Sequence, residues 1–146
     1  MGALAGHTRV LDDRLIAALR ISSEEIEAVA SREARELERR EKLYRGGRSA
    51  PDLRGRTVVL VDDGLATGST MVAAARHVRS LRAQTVIVAV PVASFEACSR
   101  LRTEADECIC LAAPDPFVAV GEWYDDVRQV TDDEVHDILK RSRAAN

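Results

Sequence analysis

The sequence predicts an α/β fold built on a parallel sheet, and three observations carry that prediction. The first is the run Thr57-Val58-Val59-Leu60-Val61, short, β-branched and bounded by Gly55 and by charge. Such a run fits a strand buried on both faces, which is the setting of parallel sheets. The second is the helical pattern that opens right after the following turn, with Met71, Val72, Ala75, Val78 and Leu81 on one face. The third is repetition. Thr85 to Val92 reads as a strand, Ser94 to Ala105 as a helix with Ser94 as N-cap, and Glu107 to Ala112 as a further strand. Strand, helix, strand, helix, strand in series is a right-handed βαβ progression of three parallel strands.

The segments before this unit are less regular. Around Arg9-Val10-Leu11 a short strand is expected, followed by a helical turn as far as residue 20. Ser22, with Glu25 three residues on, forms the pattern of a capping box and opens a helix. From Glu24 to Lys42 that helix carries twelve charged residues and a narrow apolar stripe at Ile26, Val29, Ala30 and Leu37, so it covers one seam and is otherwise wet. A basic loop from Tyr44 to Pro51, containing Arg45, Gly46, Gly47 and Arg48, leads to the first strand of the parallel unit. His77 falls among charged neighbours and is expected on the solvated side of its helix. At the other end, Thr131-Asp132-Asp133-Glu134 starts a capped C-terminal helix.

The chemistry concentrates between Val61 and Met71. Ligands of parallel sheets sit beyond the carboxyl ends of the strands. There the chain places Asp62 and Asp63, then Gly64 and Gly68, where backbone can approach a ligand, and the hydroxyls of Thr67, Ser69 and Thr70. The unpaired amides of the next helix point into the same space and suit a phosphate. Two carboxylates so close by disfavour a bare anion, so the ligand should carry hydroxyls or a metal beside its phosphate, as a phosphorylated sugar does. We expect both acids at the carboxyl end of a central strand, facing the same cleft as the 66–70 loop.

Three related motifs fail on spacing. A Walker A loop, G-x-x-x-x-G-K-[ST], needs a longer interval between its glycines than Gly64 to Gly68 and a Lys where none stands. The dinucleotide fingerprint G-x-G-x-x-G needs a third glycine. A receiver domain needs an acid at the end of a later strand, and Thr85 to Val92 runs into Ala93-Ser94 without one.

The run of four apolar residues, Asp62-Asp63, Gly64-Leu65 and Ala66-Thr67-Gly68-Ser69-Thr70 resembles the 5-phosphoribosyl-1-pyrophosphate (PRPP) binding motif of type I phosphoribosyltransferases. The resemblance implies a phosphoribosyltransferase-like, Rossmann-like core in which Asp62 and Asp63 contact the ribose 2′- and 3′-hydroxyls and residues 64–70 hold the 5′-phosphate. It extends from about Ser22 to Leu139, including residues 35–48 and 88–94, towards a bacterial group of predicted phosphoribosyltransferases. Members of that group begin earlier, with a strand ending in Leu-Pro-Arg-Gly-Gly that binds pyrophosphate. The expectation is therefore a single domain over 1–146, N-terminally incomplete. Residues 1–21 would be the remnant of the N-terminal part, 22–56 the charged helix and flexible basic loop, and 57–146 the PRPP-motif core with its base-side segment. The family also implies Mg²⁺, and a mobile catalytic loop where Arg45 and Arg48 stand; these close over pyrophosphate, or are simply solvated loop arginines.

After the last strand, Phe117-Val118-Ala119-Val120-Gly121-Glu122-Trp123-Tyr124 is similar to the base-binding stretch of purine phosphoribosyltransferases. By that resemblance Phe117, Val118, Trp123 and Tyr124 would meet a base. Their alternative is to seal the open end of the sheet as ordinary apolar residues.

Composition narrows the function classes. A chain of 146 residues is one domain, and its net charge of −3, from 21 basic and 24 acidic residues, provides no field for nucleic acid or an anionic membrane. No apolar stretch approaches the length of about 18 residues that a membrane span requires. A cytoplasmic protein with a small-molecule substrate follows. Cys98, Cys108 and Cys110 lack C-x-x-C spacing and read as buried free thiols ahead of metal ligands. Two functions stand: a Mg²⁺-dependent transferase that displaces pyrophosphate from PRPP with a nucleobase or other nitrogen nucleophile, and a non-catalytic PRPP or nucleotide-binding module. In either, an unpaired strand edge favours a homodimer.

Overall fold

The computed structural model describes residues 2–144. Met1 and residues 145–146, the extremities of the expected 1–146 domain, lie outside the described residues. In chain order come β1 (Gly2–Ala5), β2 (Thr8–Leu11), α1 (Asp13–Leu19), α2 (Ser23–Arg45), β3 (Thr57–Val61), α3 (Ser69–Ser80), β4 (Thr85–Val92), α4 (Phe95–Leu101), β5 (Glu107–Ala112), a 3₁₀ turn (Val120–Trp123) and α5 (Asp132–Ala144).

The three strands of the expected unit form one parallel sheet in the order β3-β4-β5, with Val59 opposite Ile87 and Val61 opposite Ala89. Two right-handed crossovers that advance in the same direction must lay their helices on the same side of a sheet. Accordingly α3 and α4 both cover the face formed by Val58, Leu60, Val86, Val88, Val90, Cys108 and Cys110, where Val72, Val88 and Leu101 are fully buried. The opposite face is bare. Val59 is 55 % exposed, Val61 73 % and Leu111 81 %. Burial of the motif strand on both faces is thus corrected to burial on one. The motif strand is also an edge strand, not the central one, which is β4.

The N-terminal strand expected near Val10 is half of an antiparallel hairpin, β1 pairing β2 with Ala3 opposite Val10. The sequence reading missed β1, whose Gly-Ala-Leu-Ala carries little β propensity. The hairpin lies on α3, and Val10 joins the core of Met71, Val72 and Ala73. His77 is half-buried rather than solvated, because its ring lies under the hairpin turn; a Cβ added to Gly6 would come within 2.2–2.7 Å of three ring atoms.

Helix α2 opens on the predicted capping box, with Ser22 Oγ accepting from the Glu25 amide at 3.2 Å and Glu25 accepting from the Ser22 amide at 2.9 Å. Its apolar stripe is less covered than expected. Ile26, Val29, Ala30 and Leu37 line an open cavity of about 880 Å³ shared with β1, β2 and α1. Helix α2 extends through Arg45, so the basic loop begins at Gly46, a left-handed C-cap. Helix α4 ends at Leu101, short of the expected Ala105. Thr131 and Glu134 make the reciprocal bonds of a capping box at the start of α5. Asp132 then accepts from Arg39 at 2.7 Å and from Tyr44 Oη at 2.6 Å, tying α5 to α2.

Candidate functional site

The β3-to-α3 turn is held from behind by the start of α4. Leu65 is buried and pairs in strand fashion with Ala93, its amide donating to Val92 O at 3.0 Å and its carbonyl accepting from the Ser94 amide at 2.9 Å. One hydroxyl does two tasks here: Ser94 Oγ caps α4 by accepting from the Ala97 amide at 3.0 Å and donates to Ala66 O at 2.7 Å. Gly68 then takes φ +69°, the left-handed region that favours glycine, and a Cβ there would meet Ala97 Cβ at 3.3 Å. One turn further along α4, Arg100 Nη1 donates to Ser69 Oγ at 3.2 Å. Ser94, Ala97 and Arg100, spaced by three residues on one face of α4, therefore touch Ala66, Gly68 and Ser69 in turn.

The start of α3 is left open to a ligand. Gly68 is its N-cap and supplies no side-chain cap, while its carbonyl accepts the first helical bond from Val72 at 2.9 Å. Thr67 Oγ1 lies 3.4 Å from the Ser69 amide, too long for a strong bond, and 3.3 Å from Ser69 Oγ. Thr67 and Thr70 are exposed. The first-turn amides and three hydroxyls thus make a cradle with the positive end of the helix dipole behind it.

Asp62 and Asp63 follow β3 directly. Asp62 is half-buried and Asp63 exposed. Burial pushes the Asp62 carboxyl up from its ordinary range, and the neighbouring Asp63 charge adds to the shift, while the Asp63 amide, donating to Asp62 Oδ1 at 3.0 Å, opposes it. The aromatic segment comes to the same end of the strand. Tyr124 Oη donates to Asp63 O at 2.6 Å, and Val120 packs so tightly on Gly64 that an added Cβ would stand 2.7 Å from it. Phe117 is half-buried, whereas Val118, Trp123 and Tyr124 remain substantially exposed.

The structure thus gathers Asp62, Asp63, residues 64–70 and the 117–124 segment at one end of β3. It does not bring Arg45 and Arg48 there. Arg45 pairs with Glu41 on its own helix at 2.7 Å, Arg48 Nε donates to Arg45 O at 3.3 Å, and the two line a separate pocket of about 310 Å³ with Ser49 and Pro51. Sequence reasoning missed the second bond of Ser94, the approach of Arg100 and the clamp of Val120. The three-residue spacing of Ser94, Ala97 and Arg100 was the one available signal.

A family model described as the phosphoribosyl transferase domain matches residues 7–126, most of the chain. The chain belongs to the phosphoribosyltransferase family. Two curated phosphoribosyltransferase-named proteins of Mycobacterium tuberculosis, one from each of two strains and both named provisionally, are each 40 % identical to it over 134 residues. That alignment covers 92 % of this chain and 30 % of either relative. A crystal structure of TT1426 from Thermus thermophilus superposes with a TM-score of 0.74 at 42 % identity, covering 96 % of this chain and 66 % of that one. This phosphoribosyltransferase chain therefore spans under a third of its curated relatives and about two thirds of the solved one. Among its described residues no helix is long and apolar enough to cross a membrane.

Proposed function

We propose that the chain binds PRPP or a ribose 5-phosphate nucleotide at the end of β3 and takes part in Mg²⁺-dependent transfer of the phosphoribosyl group to a nucleobase or other nitrogen nucleophile. The observation that carries this reading is the single cradle in which two carboxylates, a hydroxyl-lined turn and an uncapped helix N-terminus meet. In the reaction the nitrogen attacks ribose C1, the bond from C1 to the pyrophosphate oxygen breaks, and pyrophosphate leaves with the electron pair. Residues 66–70 fix the 5′-phosphate and so position C1. Asp62 and Asp63, when ionised, accept from the ribose hydroxyls and favour the positive charge that develops at C1. The 117–124 segment, clamped through Tyr124 and Val120, offers Phe117 and Trp123 for stacking against a base and the Val118 backbone for reading its edge.

Mg²⁺ would supply charge compensation on the pyrophosphate. Asp62 and Asp63 fit that role as a pair, since a hard cation that keeps water and phosphate oxygens needs only one or two carboxylates. Among the described residues no cluster of three or more His, Cys, Asp or Glu side chains provides a fuller protein cage.

One observation favours a second reading, a binding module without turnover. Ligand crevices of parallel sheets open where the winding of the sheet reverses. Here, among the described residues, β3 is an edge strand, and Arg45 and Arg48 stand apart from Asp62 and Asp63. Calorimetry with ribose 5-phosphate tests the shared site. Thr67→Ala with Thr70→Ala is expected to weaken binding more than ten-fold, at about 1.5–3 kcal/mol for each bond to a charged group. Equal affinities would refute the site. Pyrophosphate release from PRPP with a panel of bases then separates the readings, and little turnover is expected of this chain. The bare sheet face and the open β3 edge support a homodimer, which light scattering tests. A substrate of this class also goes with a cytoplasmic location.

A further inference from the structure

We infer that Arg100 is a phosphate-binding residue of this site, exchanging its bond to Ser69 Oγ for a phosphate oxygen when ligand enters; the inference rests on the ribose 5-phosphate reading above and adds a residue to it. Arg100 stands outside the 62–70 motif, thirty-one positions from Ser69 in sequence. Its approach is set by α4, whose residues Ser94 and Ala97 already lie against Ala66 and Gly68 on the same face.

The charges around Arg100 leave it available. Glu104, one turn further on, is engaged by Arg76, whose Nε donates to Glu104 Oε2 at 2.9 Å while Nη2 donates to Oε1. That pairing, more than the proximity of Arg100, holds the Glu104 carboxyl below its ordinary range. Among the described residues Arg100 forms no salt bridge, and its recorded side-chain bond is to a neutral hydroxyl. A guanidinium held at 3.2 Å from Ser69 Oγ, the hydroxyl that opens α3, is within reach of any anion seated on the first-turn amides. A phosphate dianion is a far better acceptor for it than a hydroxyl, and the planar fork can bind two phosphate oxygens at once.

The experiment compares wild type, Arg100→Ala, Arg100→Lys and the Thr67→Ala/Thr70→Ala pair by calorimetry with ribose 5-phosphate at low and high NaCl. The Ala variant should bind roughly ten-fold more weakly at low salt, with a flatter salt dependence, because a screened charge has been removed. Lys should recover part of the affinity and the steeper salt dependence. If Arg100→Ala binds like wild type at both salts while the threonine pair loses affinity, the inference fails and the site reading stands. An equal loss at both salts that Lys does not rescue would make Arg100 a support of the loop only, and would overturn the inference. No binding by wild type would overturn the site reading and this inference with it.

Discussion

Replacing Gly64 with Ala should loosen the aromatic segment from the acids. Gly64 is not in the left-handed region, so its backbone accepts any residue and the cost is one of space. The new Cβ would stand 2.7 and 2.9 Å from Val120 Cγ1 and Cγ2 and 3.0 Å from Val92 Cγ1. Carbon atoms rest at about 3.5–4.0 Å, so each contact is short by roughly 0.5–1 Å. Val92 is fully enclosed and cannot yield, whereas Val120 sits on a half-exposed turn and can. The turn should therefore move, stretching the 2.6 Å bond from Tyr124 to Asp63. Overpacking of this kind costs about 1–3 kcal/mol, and the weakened hydrogen bond adds up to about 1 kcal/mol. We expect a loss near 2 kcal/mol in urea unfolding. Adding Val120→Ala relieves two of the three contacts, so the double variant should regain part of the loss, with a coupling of about 1 kcal/mol. A fully stable single variant, or strictly additive effects, would refute the reasoning.

Three further outcomes follow from other contacts. Tyr124→Phe removes the donor to Asp63 O and, at a partly exposed position, should cost about 0.5–1 kcal/mol in the same unfolding assay while leaving ribose 5-phosphate affinity within two- to three-fold of wild type. Asp62 has its carboxyl raised by burial, so the folded state holds that proton more tightly than the unfolded chain. Its contribution to stability is greatest in acid and is lost as pH rises through the raised value, so Asp62→Asn should gain stability relative to wild type at neutral pH and lose that gain in acid; a constant difference across pH would refute this. The Cys98 thiol is pushed up to about 12, chiefly by burial and then by Cys110, so iodoacetamide at pH 8 should modify it only after unfolding, as followed by peptide mass spectrometry.

The parallel unit was legible because its signals are local. The β3, β4 and β5 boundaries follow the apolar runs, and Ser22, Ser94 and Thr131 announce their helices by capping chemistry. What was illegible depends on partners distant in sequence. The alternation along β3, with Val58 and Leu60 covered and Val59 and Val61 bare, comes from which side the crossovers take, and a run of uniformly apolar residues cannot encode that. His77 looked solvated because its cover, the Gly6 turn, is some seventy positions away in the chain. Within the site, residues 62–70 announced themselves by composition, whereas Arg100 and Val120 reach it only through the folding of α4 and of the 117–124 segment.

The seat of the hairpin on α3 has a consequence for the order in which the chain assembles. Strand β3 pairs β4 with Thr57 opposite Thr85, and β4 pairs β5 with Ile87 opposite Glu107, so each pairing closes a loop of only one helix and its connections. The hairpin reaches the same core only after a loop of about sixty residues, including the whole of α2, has closed, and closure entropy rises with loop length. Until then Val72 and Met71 lack Val10, and His77 lacks its cover. Closing the smaller loops of the sheet first should leave the docking of residues 2–11 on α3 as a later step.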